Sequence, residues 1–474
     1  MQARWLGWPI LVISSLALGG VEFAQTVAPE NLGPLKATLI RLRDAALGDD
    51  YAYRQLAYLT DNIGARPVGS VQAQAAVDYV AAELRRLGLE VQLEECKVPQ
   101  WVRGTDTGEL VQYAGQAKGA TQRILLTALS GNAPTRAEGI TADVVVVNDF
   151  DELRALRREQ VEGKIVLFNV VFDKQKAAAG MASEAYGEAV TYRAQGGKAA
   201  ADMGAVASLV RSVGSADFRL PHTGFSIPAG IPQGAVSAED AGLMARLAAQ
   251  GTVRMHLVLT SENKAEVISY NVIADLKGSE NPEQIVNVSG HLDSWDLGTG
   301  ALDDAAGVAV AMQTAQLVQQ LHLHPRRTLR VVAWMDEEDG GRGNEVYAKD
   351  HHTEFSDYTG AIESDFGAGH PLGFEARIKP DALPLLRTVQ DVLSSFGANV
   401  ITLTNRSPGA DIQSLGEAGV PTFGITQDAR TYFHYHHSAA DTLDKVDPVE
   451  LQQNAAAMAV LAYALADMAQ KLPR

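Results

Sequence analysis

Two segments decide how this chain reads: NVSGHLDSWDLGTGALDDAAGVAVAMQ (residues 287–313) and, beyond a helical stretch, TLRVVAWMDEEDGGRGNE (residues 328–345). Both have one form. A short apolar run, Ile285 to Val288 in the first and Thr328 to Trp334 in the second, stops in a cluster of acids, with a histidine in the first. Glycine-rich turns and a helical pattern come next. Strands alternating with helices predict an open α/β sheet, in which side chains at the carboxyl ends of the strands converge on one crevice. His291, Asp293, Asp303, Asp304, Glu337 and Glu338 are expected to gather there. Imidazole and carboxylate suit Zn2+, and so many acids in one place repel each other unless a cation sits between them.

Two more segments end in the same way. Asp365 lies in GAIESDFG (360–367), after an apolar stretch, and His437 lies in YFHYHHSAADT (432–442). Any one of these residues could be a cap or a surface group, and Asp304 has the look of a helix N-cap. Their recurrence at separate strand ends, amid tight glycines, is what favours a metal site. Two metals usually lie about 3.5–4 Å apart and share a carboxylate and a water. A further carboxylate, free of metal, must take and return the proton. The adjacent pair Glu337 and Glu338 can supply one ligand and one base. Asp293 and Asp441 are spaced to orient His291 and His437, a role that metal-bound imidazoles commonly need. His434 and His436 read as solvent or pocket residues.

Composition narrows the class. A chain of 474 residues is too long for one ordinary core, so two domains are expected. A formal charge of −17, from 40 Lys and Arg against 57 Asp and Glu, argues against nucleic acid and anionic membranes as partners. Cys96, the single cysteine, forbids an internal disulfide and any cysteine-based metal site. Trp8 to Gly20 is an apolar run too short to span a bilayer comfortably, and it reads as a secretory signal over residues 1–24. A secreted or periplasmic location is therefore expected, with no other membrane segment.

Outward from the deciding stretch, helices are expected at Leu35 to Leu47, from about Asp50, and after Ser70, which can cap a face of Val77, Val80, Leu84 and Leu87. Gly88 suits the position after that helix, and Leu89 to Val98 alternates as a strand. From about Gln100 to Glu266 the character changes to short β-like runs (Ile124–Leu126, Asp143–Val147, Lys164–Phe168, Met255–Leu259) with no dense cluster of acids and histidines. Ala200 to Val213 reads as a helix bounded by strands. The expected division is residues 25–100 for the first part of a catalytic domain, 101–266 for an inserted mixed α/β domain, and 267–474 for the rest.

The motifs GHLDSWD (290–296), GALDDAAG (300–307), DEEDGG (336–341), ESDFG (363–367) and HHSAADT (436–442) resemble, in order and spacing, those of the dizinc aminopeptidase family, and most of all its secreted carboxypeptidase Q branch. NIGARPVGS (62–70) and LPHTG (220–224) also look like that branch, so the resemblance covers essentially the whole mature chain. It implies a mixed sheet flanked by helices, with an inserted protease-associated α/β domain. It implies two Zn2+ per chain, with His291, Asp303, Glu338, Asp365 and His437 as ligands. Asp303 would bridge them, ahead of a cis peptide to Asp304, and Glu337 would be the general base. The pattern H-x-x-x-D-T selects His437 over His436. Ala305 and Ala306 stand where relatives often have glycine. The implied activity is hydrolysis of unblocked dipeptides or short peptides by a secreted exopeptidase, and relatives are homodimers. Alternatives are a broader aminopeptidase, an enzyme of N-terminal glutamine cyclisation, or a non-catalytic binding protein on the same scaffold. The filled ligand set argues against the last two, and the lack of phosphate-cradling loops argues against a two-metal phosphatase.

Overall fold

The computed structural model describes residues 33–215 and 218–474; the expected signal over residues 1–24 lies outside them. The first sheet begins with β1 (Glu90–Val102). The chain then builds a second sheet from β2 (Asp106–Gln112), β3 (Gln122–Ile124), β4 (Leu126–Ala128), β5 (Ile140–Val147), β6 (Ile165–Phe168), β7 (Ala207–Arg211), β8 (Gln233–Val236) and β9 (Arg254–Leu259). It returns to the first with β10 (Glu262–Leu276), β11 (Asn281–His291), β12 (Arg327–Trp334), β13 (Tyr358–Glu363), β14 (Pro371–Arg377), β15 (Val400–Leu403) and β16 (Thr422–Gln427). The strand orders are β1-β10-β12-β11-β13-β16-β14-β15 and β3-β2-β9-β5-β6-β7-β8-β4.

The centre of the first sheet, β12-β11-β13-β16, is parallel. Parallel strands need helical cover on both faces, which is why Ile285 to His291 and all of β12 and β13 are buried without alternation. One face carries the helices Ala306–Gln320 and Pro448–Asp467. The second is buried at every residue from Asn454 to Ala466, which its alanine-rich sequence permits by letting backbones approach closely. The other face packs Trp334, Tyr347 and Tyr358 around Ile285 and Val332.

The local expectations for the N-terminal part hold. Helices run Gly33–Leu47 and Val71–Arg86, and the Ser70 side chain accepts from the Ala73 N–H at 3.0 Å. Gly88 takes φ 85°, a left-handed conformation open to glycine. Ala200 to Val213 is not a helix between strands. Ala200–Asp202 closes the long helix Ala182–Asp202, and Ala207–Arg211 is the buried parallel strand β7. The alanines misled, because a fully buried strand and a buried helix have the same apolar content. The chain leaves the first sheet after Val102 and rejoins it at Glu262, directly opposite, a few residues before the expected boundary at 267. Among the described residues, no helix is long and apolar enough to cross a membrane.

Candidate metal centre

β11 and β12 pair with His291 opposite Trp334, and β11 pairs with β13 at Ser289 opposite Glu363. The three strands therefore end almost level. The loops leaving them enter one crevice, with Asp293 and Asp303 after β11, Asp336 to Glu338 after β12, and Asp365 after β13. Gly307 lets the helix after β11 come this close. A Cβ on it would sit 1.9 Å from the Ser364 carbonyl oxygen and 2.4 Å from the Asp304 carboxylate.

Two buried histidines face the acids from opposite sides. The Nδ1–H of His291 donates to the backbone carbonyl of Asp293 at 3.1 Å. That leaves Nε2 pointing at Asp303 Oδ1, 3.1 Å away, and Asp365 Oδ1, 3.3 Å away. Across the crevice, Nδ1 of His437 lies 3.2 Å from the Thr223 carbonyl, and Nε2 lies 3.1 Å from Asp303 Oδ2 and 3.0 Å from Glu338 Oε2. Asp303 thus offers one oxygen to each half. Its peptide bond to Asp304 is cis. His436 stacks on His437 with ring centres 3.6 Å apart, and its Nε2 is 3.4 Å from Asp303 Oδ2. Of the two histidines, His437 reaches both Asp303 and Glu338.

Lone-pair nitrogens aimed at carboxylates need a second proton or a metal cation between them. The charge balance agrees. Burial pushes the Glu337 carboxyl well above its ordinary range, His291 pulls it back, and Asp365, Asp411 and Glu338 push it further. Burial and then Asp303 raise Glu338 to about 7, against the pull of His437. Burial should lower His291, yet the facing carboxylates Asp365 and Asp303 carry it well above the usual imidazole range. A cation would relieve all three at once. The residues present therefore fit a metal, and the buried Glu338 Oε1, which accepts no hydrogen bond among the described residues, has lone pairs left for a cation.

The supporting residues differ in part from the sequence expectation. Asp293 meets His291 Nδ1 through its backbone carbonyl at 3.1 Å, with its carboxylate 3.9 Å away; that carboxylate accepts the N–H groups of Asp336 (2.8 Å), Glu337 (3.3 Å) and Glu338 (3.3 Å), so the turn after β12 is wrapped around it. Asp336 makes that turn with φ 70°. Asp441 accepts from Leu302 N–H at 2.7 Å, and the imidazole of His437 is met by the second lobe instead. Asp304 caps the following helix at Gly307 N–H (2.9 Å) and holds His291 N–H (3.0 Å).

Several residues that hold the site escaped the sequence reading. Arg66, fully buried, donates to the carbonyls of Leu292 (2.7 Å), Thr299 (2.7 Å) and Gly300 (2.9 Å), stapling the loop that carries Asp303. Burial lowers its pKa to about 10. Its setting, NIGARPVGS, is conspicuous, but nothing in it names three distant carbonyls. From the second lobe, His222 Nδ1–H donates to the His436 carbonyl at 2.7 Å, and Thr223 N–H donates to the His437 carbonyl at 2.8 Å. Arg103 makes a two-pronged pair with Asp296 at 2.6 and 2.7 Å, and Ser130 bonds to Asp339. Glu363 and Asp411, both buried, lie just beyond Asp365, and burial raises both. A cavity of about 610 Å3 opens on this centre, walled by Asp303, Glu337, Asp365 and His437 on one side and by Tyr186, Arg193 and Phe225 of the second lobe on the other.

The pattern of Peptidase family M28 matches residues 271–462, the span that holds every one of these candidate ligands. Carboxypeptidase Q of Xenopus laevis is 37% identical over 430 residues, covering 89% of this chain and 87% of that protein. The chain belongs to peptidase family M28. Human carboxypeptidase Q is 35% identical over 449 residues, covering 93% and 91% of the two chains. Among solved structures, a peptidase M28 precursor from Shewanella amazonensis superposes with a TM-score of 0.87 at 34% identity, covering 93% of this chain and 99% of that one. A zinc aminopeptidase from Bacillus subtilis shares the fold, with a TM-score of 0.64 at 21% identity over 89% and 96% of the chains. Membership of the M28 family makes this chain a metallo-exopeptidase.

Proposed function

We propose that the chain is an exported, zinc-dependent exopeptidase that hydrolyses unblocked dipeptides or short peptides, with two zinc ions per chain. One observation carries this reading: Asp303 meets His291, itself beside Asp365, with one oxygen and His437, itself beside Glu338, with the other. His291, Asp365 and Asp303 would hold one ion, and His437, Glu338 and Asp303 the other. Bound there, the ions supply Lewis acidity, which lowers the pKa of a water molecule and polarises a peptide carbonyl. Glu337 has no ligand role in this scheme. Its carboxylate takes a proton from the attacking water and returns it to the departing amine. The inserted lobe acts as a protease-associated domain that roofs the crevice and excludes bulk water. The carboxypeptidase Q relatives favour the same reading, and a homodimer goes with it.

The test is direct. The chain from residue 25 onward is stripped with a chelator and reloaded with zinc. Metal is counted per chain, and amino-acid release is followed from dipeptides that are unblocked, N-blocked or C-blocked. Two ions and metal-dependent release from unblocked dipeptides is the expected result. Two ions without release would remove the substrate assignment, and no bound metal would remove the ligand assignment.

A further inference from the structure

The helix Ala182–Asp202 buries a stripe of small residues, Ala185, Ala189, Gly196 and Ala200, with one charged member, Arg193. Its exposure is 7%, and among the described residues no carboxylate pairs with it. A buried guanidinium without a counter-ion is costly, so such groups are normally paired. The guanidinium lies against Gly224, where a Cβ would sit 2.4 Å from Cζ. Its Nε donates to the Phe225 carbonyl at 3.3 Å and its Nη1 to the Thr223 carbonyl at 3.4 Å, both long bonds to neutral groups. Nη1 is also 3.1 Å from Nδ1 of His437. That contact does not satisfy it if His437 gives Nε2 to a metal, because Nδ1 then carries the proton and donates to the Thr223 carbonyl. Nη2 makes no hydrogen bond among the described residues. Arg193 nonetheless lines the cavity over the metal centre.

We infer that Arg193 binds the free α-carboxylate of the substrate, and so makes this site one that reads the carboxyl terminus of a dipeptide. The inference rests on the peptidase reading above and adds its specificity. In a dipeptide the carboxylate carbon lies three bonds, about 3–3.7 Å, from the scissile carbonyl carbon, so the group that binds it must stand close beside the metal ligands. Arg193 stands one imidazole behind the Nε2 of His437, itself 3.0 Å from Glu338. Every other charged side chain on this part of the wall is acidic or imidazole, so Arg193 is the group that can accept a carboxylate and offer the paired donors that anion prefers.

The experiment compares zinc-loaded wild type with R193A and R193K on a dipeptide and its C-terminal amide. Binding of L-leucine and L-leucinamide is measured in parallel by calorimetry, and metal per chain is counted for each protein. Wild type is expected to favour the free acid over the amide by at least tenfold in kcat/KM. R193A should lose about a hundredfold on the acid, little on the amide, and bind L-leucine no better than L-leucinamide. R193K should recover part of the preference. Equal losses on acid and amide, with reduced metal content, would overturn the inference and leave Arg193 as a support for His437. If wild type cleaves neither substrate, the peptidase reading falls, and calorimetry still decides the residue: L-leucine affinity unchanged in R193A overturns the carboxylate site, and affinity lost in R193A upholds it.

Discussion

His437 is held between two lobes: its Nε2 lies 3.0 Å from Glu338, which lies just past the end of β12 in the first sheet, and its Nδ1 lies 3.2 Å from the carbonyl of Thr223, which belongs to the second lobe. The imidazole is oriented by a segment more than two hundred residues away in the chain. The same second-lobe loop fixes the backbone on either side of that nitrogen.

His222→Ala should therefore weaken the metal centre from outside it. The substitution leaves the His436 carbonyl without its donor and frees the loop that carries His437. Partners that orient metal ligands typically contribute a factor of about 10–100 in affinity. Competition against a chelator of known zinc affinity is expected to show a loss in that range. Unchanged affinity would mean that the loop is fixed without His222.

Glu337→Gln should keep both metals and lose turnover by about a hundred- to ten-thousand-fold, the usual range for removing a general base. Metal analysis with steady-state kinetics on one preparation checks it. A variant near the wild-type rate would move the proton-transfer role elsewhere.

The tandem histidines should separate cleanly. His437 reaches two carboxylates at 3.1 and 3.0 Å, whereas His436 approaches Asp303 alone, at 3.4 Å. His437→Ala is expected to lower zinc affinity by more than about a hundredfold, and His436→Ala by less than about tenfold. The reverse order would exchange the ligand.

Far from the site, Asp275 and Arg330 predict an acid-sensitive contribution to stability. Arg330 donates to both Asp275 oxygens, at 2.7 and 3.0 Å, and also to the Tyr347 and Tyr358 hydroxyls. Burial alone would raise the Asp275 carboxyl, but Arg330 and then Lys277 hold it below its ordinary value. A lowered folded-state pKa stabilises above the unfolded value of about 3.9 and loses that contribution as the pH falls through the lower folded value. Asp275→Asn, which leaves the guanidinium only the more distant carboxylate of Glu354 at 3.7 Å, should cost about 3 kcal/mol at pH 7, the low end for breaking a buried pair. Urea midpoints for the two proteins should converge below about pH 4. A constant gap down to pH 3 would show that Asp275 acts through packing and not through its charge.

Distance along the chain separates the legible residues from the hidden ones. His291, Glu338 and Asp365 stand at or just past strand ends flagged by glycine and by a break in apolar pattern, and parallel strands in register bring such ends together; Asp303 and His437 lie farther along, at the helix after β11 and just after the short helix Tyr432–Tyr435. The support is a different matter. Asp293 is readable as an acid near His291, but its carboxylate goes to three backbone N–H groups of the turn after β12, a choice set by the φ of 70° at Asp336. His222 and Thr223 sit in a proline- and glycine-rich run whose path depends on how two lobes meet, and periodicity carries no information about that. Arg193 leaves a trace in the sequence: a cation at the helical spacing of buried alanines and glycines, where a lone charge asks for a partner.

The route into and out of the second lobe is a single paired ribbon, with Val102 opposite Glu262. Beyond it the lobe is anchored by bonds to the loop from Phe433 to His437, to Asp296 and to Asp339, and by Phe172, Ala185 and Ala189, which pack into the core of the first lobe. A lever hinged on two strands and latched to a ligand-bearing loop transmits its displacement to that loop. Any widening of the mouth to admit a longer peptide would be felt as a pull on His437, so in this architecture the length of the guest and the grip on the metal are mechanically tied.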